Sequence, residues 1–298
     1  MKKILVIGSL NVDFSVSVDE IPKPGETVNA NNMLINNGGK GANQAYTIGK
    51  LGGKVSMLGK IGKDIYGKSI KDDLKKVNVK VDGIKEDKTV DTGKAFINVS
   101  EKGENSITIV HGANYEVTEK FIEKNKDIIM DADIILMQLE IPLHSIKKVL
   151  EIAKDKIIVL DPAPADKKIM DFDLSNIYLM KPNETEIEIL TGIKVTNEDS
   201  AVKAANVLLD RGVQNIVISL GEKGSILVNK KEHKSFPVVK SRVVDTTAAG
   251  DSFIASIVFA IAQGKPLKES ILFASKVASV VVSRKGAQAS IPTLREIK

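Results

Sequence analysis

The chain has 298 residues, 43% hydrophobic and 27% charged, which suits a soluble protein with a real core in one large α/β domain or two modest ones. Its net charge of +5 comes from scattered lysines that alternate with acids, as in Lys71-Asp72-Asp73 and Lys85-Glu86-Asp87-Lys88, whereas nucleic-acid binding wants a clustered basic patch and aromatic platforms. Cysteine is absent, so disulfides, thiolate catalysis and Cys-ligated metals are excluded, and the three histidines, His111, His144 and His233, have no ligand spacing.

From the N-terminus, Ile4–Ile7 is a short apolar run that reads as a first buried strand and is too short for a secretory core. No later segment approaches a membrane span, so a cytoplasmic protein without a membrane partner is expected. Asn11 and Asp13 follow this strand at the edge where open α/β sheets place ligands. Phe14–Ile35 then alternates in the manner of half-exposed antiparallel strands. Asn37-Gly38-Gly39-Lys40-Gly41-Ala42-Asn43-Gln44 is glycine-rich but is not a P-loop, because no Ser or Thr follows Lys40. It reads either as a turn before a helix or as backbone closing on a polar small molecule, with Lys40 and Asn43 as donors and Asp13 as an acceptor.

A helix is predicted over Gly41–Leu51, a strand over Val55–Leu58 and a helix over Tyr66–Val77, followed by a second β-branched insertion at Thr89–Val110. Further buried strands are expected at Ile134–Met137, Ile157–Leu160, Ile177–Met180 and Ile216–Leu220, with helices at Ser145–Ala153, Glu184–Leu190 and Ser200–Leu209 between them. This alternation predicts helices on both faces of a mostly parallel sheet. The two insertions, roughly 13–36 and 89–110, predict a small β lid on a single domain spanning 1–298. Asn183 and Glu186, three apart at a helix start, can form a capping box or hold Mg²⁺ through waters.

Val243 to Phe253 reads as a strand end, a small-residue turn and a helix start. Ala248, Ala249 and Gly250 let backbone N–H groups approach a charged ligand, and the helix dipole favours an anion there. Asp251, in the first turn, is placed to take a proton from an attacking hydroxyl. Asp245 and Asp251 would also serve as ordinary first-turn acids. Two apolar helices, Gly250 to about Ala262 and Leu267 to about Ser283, close the chain.

Taken in order, these segments resemble the ribokinase/pfkB family of carbohydrate kinases. The resemblance runs through Asn11-Val12-Asp13, Pro22 to Thr27, Gly38 to Gln44, Met137 to Glu140, Asp161-Pro162-Ala163-Pro164-Ala165, Lys181 to Glu186, Asp245 to Phe253 and Arg284 to Ser290. Ala248 stands where the wider family usually has Gly, a change common in its ribose-acting branch, and Ser252 replaces a frequent Thr. The resemblance implies a ribokinase-like three-layer α/β/α sandwich with a small β-sheet lid that also pairs two subunits as a homodimer. It implies ATP-dependent phosphorylation of D-ribose at its 5-hydroxyl. A kinase for deoxyribose or a nucleoside, or a non-catalytic sugar-binding regulator, are the alternatives. Asn11, Asp13, Gly39, Lys40, Asn43 and Glu140 would contact sugar, with Asp251 as base and the N–H groups of Ala248, Ala249 and Gly250 as anion hole. Asn183 and Glu186 would serve Mg²⁺ and phosphate, Ser219 and Gly221 would line the nucleotide, and Asp245, Thr247, Val281, Arg284, Gly286 and Ser290 would hold K⁺.

Overall fold

The computed structural model describes residues 1–297. Its strands are β1 (Ile4–Ile7), β2 (Asn11–Val18), β3 (Ala30–Gly38), β4 (Val55–Gly62), β5 (Lys80–Asp87), β6 (Gly93–Ser100), β7 (Asn105–Val110), β8 (Ile134–Gln138), β9 (Ile157–Asp161), β10 (Ile177–Met180), β11 (Asn215–Ser219), β12 (Ser225–Asn229) and β13 (His233–Phe236). The helices are α1 (Lys40–Lys50), α2 (Ile65–Lys76), α3 (Glu119–Lys124), α4 (Lys126–Met130), α5 (Leu143–Ile152), α6 (Glu184–Thr191), α7 (Glu198–Asp210), α8 (Ala249–Ala262), α9 (Leu267–Val281) and α10 (Ala287–Ser290).

Nine strands form one sheet in the order β13-β12-β11-β10-β9-β8-β1-β4-β5. It is parallel from β11 to β5, while β12 and β13 close one edge antiparallel. The apolar runs are continuous because both faces of the sheet are covered. Ile4, Val6, Ile134 and Leu136 point into a core shared with α1, α2, α8 and α9. Leu5, Ile7, Ile135 and Met137 point into the opposite core, beneath α5, α6 and α7. This is the expected three-layer α/β/α sandwich. Helix α8 is apolar all round because it is wedged between the sheet, α1 and α9, and it buries every residue from Asp251 to Ala262.

A separate four-stranded sheet, β3-β2-β6-β7, lies over this body. Its two hairpins are antiparallel as expected, but β2 and β6 pair in parallel. The reason is topological. Strands β2 and β6 follow β1 and β5, which run in the same direction in the main sheet, so both insertions leave it the same way. Phe14 packs edge-on against Tyr66 of α2 at 5.6 Å and stacks on Phe96 at 5.3 Å, seating one lid face on the body.

Strand β5 escaped the pattern because its exposed edge carries Lys80, Asp82, Lys85 and Glu86. The strand end expected before Asp245 is absent. Val243 and Val244 are exposed loop, and the N–H groups of Val244 and Asp245 both donate to the Val282 carbonyl instead of to a strand. These bonds tie the segment to the C-cap of α9, and it pairs with no strand.

Candidate active site

Moving outward from β1, the chain places β4 and β5 on one side and β8 to β11 on the other. The gap between β1 and β8 is therefore a topological switch point, where ligands of open α/β sheets bind beyond the strands' carboxyl ends. Polar residues gather there. The Ser9 hydroxyl donates to Glu140 Oε2, which also accepts the Lys40 N–H at 3.1 Å. Ser9 Oγ in turn accepts the Gly41 N–H at 3.2 Å. These bonds lock the start of α1 onto the end of β1.

Glycine lets the backbone close in. A Cβ on Gly39 would lie 2.7 Å from the Asn11 nitrogen, and Gly39 has φ +85°, so no other residue fits. A Cβ on Gly38 would lie 2.0 Å from Asp13 Oδ2, which places that carboxylate over the bare Gly38 backbone. Gly8 is bare for a similar reason: a Cβ there would meet Gln138 Oε1 at 1.8 Å.

Asp251 is 7% exposed. Its Oδ2 accepts Asn43 Nδ2 at 3.0 Å and its Oδ1 accepts Gln44 Nε2 at 3.3 Å. Helix α8 begins at Ala248, held left-handed at φ 60° with no capping side chain. The Ala249 N–H is spent on the Thr246 carbonyl at 3.1 Å. Among the described residues the N–H groups of Ala248 and Gly250 have no acceptor. An uncapped helix start with small residues leaves N–H groups that could receive an anion beside a carboxylate. The Lys181 amine is buried at 3.4 Å from Asp161 Oδ1, and it lies 3.5 Å from where a Gly250 Cβ would sit.

Charge is crowded here. Burial pushes the Asp13 carboxyl up to about 7, helped by Glu140 and Asp251. Burial likewise raises Asp161 to about 6, against the pull of Lys181 and Lys40. Burial alone would lower Lys40, but Asp251, Asp161, Glu140 and Glu186 hold its ammonium above the ordinary range.

Asn183 and Glu186 form the capping box: Asn183 Oδ1 accepts the Glu186 N–H and Glu186 Oε2 accepts the Asn183 N–H, each at 2.8 Å. One amide nitrogen and one carboxylate oxygen remain for water-mediated contact, so the pair still fits Mg²⁺ held through its hydration shell. Asn183 is bridged to Ser219, whose N–H donates to the Pro182 carbonyl at 3.0 Å, and Gly221 turns the chain at φ +55° just beyond.

On the far side of the α8 start, Asp245 accepts the Thr247 hydroxyl at 2.6 Å, the Thr247 N–H at 2.9 Å and the Gly286 N–H at 2.9 Å. Burial opposes its ionisation, yet these donors and Lys285 keep the carboxyl below its usual range. Ser290 is fully buried and donates to the Ala287 carbonyl at 2.7 Å, leaving its oxygen lone pairs as acceptors. The loop after Val281 is pinned by Arg284, whose guanidinium pairs with Glu296 at 2.8 Å. An ionised carboxylate and a buried hydroxyl oxygen suit a monovalent cation.

Sequence reasoning gave no role to several residues that build the site. Asn114 accepts the Leu10 N–H at 2.9 Å and donates to Asn11 Oδ1 at 2.7 Å, fixing which end of the Asn11 amide faces outward. Gln288 donates to Asn43 Oδ1 at 3.3 Å. Gln138, Asp161 and Lys181 each stand directly at or after the end of an apolar strand, and that placement was the available signal. Two surface hollows of about 320 and 390 Å³ lie apart from the carboxylate cluster, one beside α5 at Lys147 and Lys154, the other between the lid and α2 at Tyr66 and Asp73.

The profile of the pfkB family carbohydrate kinases matches residues 1–294. The chain belongs to this family. A ribokinase of Haemophilus influenzae is 41% identical over 297 residues, covering 99% of this chain and 97% of that one. A deoxyribokinase of Salmonella typhi is 34% identical over 98% of this chain and 96% of its own length. The structure of Arabidopsis thaliana ribokinase complexed with ribose and ATP superposes with a TM-score of 0.91 at 32% identity, over 99% of this carbohydrate kinase and 97% of that chain. No helix among the described residues is long and apolar enough to cross a membrane.

The crowding makes a stability prediction. Asp13, raised from 3.8 to about 7, keeps in the folded state a proton that the unfolded chain releases. Its contribution to stability therefore falls as pH rises between these values and is flat above them. Asp13→Asn should raise the unfolding free energy by on the order of 1–3 kcal/mol near pH 8 and by far less near pH 4. Denaturant curves at both pH values check this; equal differences would contradict the placement of Asp13.

Proposed function

We propose that this carbohydrate kinase is a ribokinase, transferring the γ-phosphoryl of ATP to the 5-hydroxyl of D-ribose. The observation that carries the reading is the buried carboxylate of Asp251, held by two amides at the mouth of an uncapped helix. Sugar lies against Asn11, Asp13, Gly39, Lys40, Asn43 and Glu140. Asp251 takes the proton of the 5-hydroxyl as its oxygen bonds to the γ-phosphorus and the bond to the ADP oxygen breaks. The proton then passes to solvent with product release. The Ala248 and Gly250 N–H groups face the developing negative charge, and a small rotation would free the Ala249 N–H to join them. Ser219 and Gly221 line the nucleotide.

Two cations belong to this reading. Mg²⁺, carried by the nucleotide phosphates and approached through water by Asn183 and Glu186, would neutralise phosphate charge. K⁺ would sit among Asp245, Ser290 and the carbonyls of Thr247, Val281, Arg284 and Gly286. There it would stiffen the turn without touching substrate.

Ribose is preferred to deoxyribose because the more similar of the two relatives above is a ribokinase. A single hydroxyl contact separates the two substrates. The roles ascribed to the protein also imply a cytoplasmic enzyme that meets neither nucleic acid nor membrane.

The lid supplies the dimer. Strand register puts Met33, Ile35 and Phe96 on one face and Leu34 and Ile107 on the face of Asp13, and all five are exposed. A thin sheet with apolar residues on both faces and free edges requires cover, and a second lid of the same kind provides it.

A sugar panel assayed for ADP release should give the highest kcat/KM with ribose. Turnover on another sugar alone overturns the substrate, and ribose binding without ADP release overturns the enzyme. Asp251→Asn should lower kcat roughly 10²–10⁴-fold with ribose binding nearly intact; retained turnover removes Asp251 as base. Exchanging K⁺ for Na⁺ at constant ionic strength should slow the reaction severalfold, and an unchanged rate would mean the Asp245–Ser290 site holds no K⁺. Light scattering should return the mass of two chains, falling to one when Met33→Asp and Ile35→Asp are combined.

A further inference from the structure

Gln44 is wholly buried on α1, next to the sugar-facing Asn43, and above it appears only as one of the two amides on Asp251. Its amide is fixed at both ends. Nε2 donates to Asp161 Oδ2 at 2.9 Å and to Asp251 Oδ1 at 3.3 Å, so its two hydrogens serve two different carboxylates. Oε1 accepts Gln138 Nε2 at 2.6 Å. The opposite amide orientation would turn an oxygen toward both carboxylates and two NH₂ groups toward each other, so it is forbidden. Gln138 is itself set by the bare Gly8, and Asp161 is anchored by the buried Lys181 amine at 3.4 Å.

The second oxygen of Asp251 is held separately by Asn43, which Gln288 steadies in turn. Asp251 thus takes one neutral donor on each oxygen, and its plane is set relative to the start of α8. Asn43, by the reading above, also meets the sugar. Gln44 faces only protein, and it ties Asp251 to the strand ends of β8 and β9.

We infer that Gln44 is the positioning residue for the base, its amide bridging Asp251 to the Asp161–Lys181 pair so that the carboxylate keeps one orientation through the reaction. The inference rests on the reading of Asp251 as the base. An uncharged double donor is the chemistry this place needs. A carboxyl here would add a third like charge beside two acids, and an apolar side chain would leave Asp251 Oδ1 without a partner. The charged groups around Asp251 are the amines of Lys40 and Lys181 and the carboxyls of Asp13, Glu140, Asp161 and Glu186. The acid limb of turnover reports how these groups and the Gln44 amide together favour the ionised base.

The test is the pH dependence of kcat at saturating ribose and MgATP for four variants beside the wild type. Gln44→Met should lower kcat roughly 10–100-fold and move the acid limb up by about one pH unit. Its KM for ribose should stay within about threefold, because Gln44 does not face the sugar. Gln44→Glu should move the limb further in the same direction, as a coupled carboxyl pair would. Asp161→Asn should move it the opposite way, since it removes a like charge and leaves Lys181. Acid limbs of the Gln44 variants that coincide with the wild type, at any kcat, overturn the inference. Should circular dichroism find both Gln44 variants unfolded, Asp161→Asn decides, and a limb that is unmoved or moves upward overturns it. Asp251→Asn separates the two claims: if it turns over near the wild-type rate, the base is wrong. If it is inactive while the limbs coincide, only Gln44 is wrong.

Discussion

Two amines, a buried one and a half-buried one, hold this site together. Lys40 and Lys181 stand among the carboxyls of Asp13, Glu140, Asp161, Glu186 and Asp251, which arrive from five separate parts of the chain. Without the two cations, so many acids could not share a space largely closed to water, because each ionised carboxylate would pay for desolvation and for its neighbours' repulsion. The neutral amides of Asn43, Gln44, Gln138 and Gln288 fill the remaining gaps, giving hydrogen bonds where another charge would unbalance the set. The balance is incomplete, as the raised Asp13 shows. The cluster is thus short of positive charge around Asp13 and open beside it at the uncapped N-terminus of α8.

The fold places these groups through a single topological fact. Strand order reverses between β1 and β8, so the chain segments leaving them diverge and open a crevice. Ser9 and Glu140 close the floor of that crevice from its two sides. Helix α8, buried along nearly its whole length, cannot slide or tilt without breaking its packing on the sheet and α9. The orientation of Asp251 is therefore inherited from the core.

Much of this was legible in the sequence. The continuous apolar runs announced a parallel sheet covered on both faces, and the small residues before Asp251 announced a turn into a helix start. What escaped had physical causes. Strand β5 is an edge whose outward side chains are charged, so its period was masked. Valines 243 and 244 looked like a strand, yet they are exposed loop, because β-branched residues fit a pleat only where a neighbouring strand offers one. The parallel pairing of β2 with β6 depends on the exit direction of two distant strands, which no local pattern encodes. The support network around Gln44 was hidden for another reason. Its members lie on β8, β9 and α1, far apart in sequence, and each alone reads as a polar residue ending an apolar run.

The contact between Gly8 and Gln138 also constrains how such a chain can change over generations. The amide occupies the volume that any side chain at position 8 would need. Any side chain at position 8 would displace the end of Gln138, and with it the partner that orients Gln44. A replacement at either position thus reaches the centre of the site through this one amide.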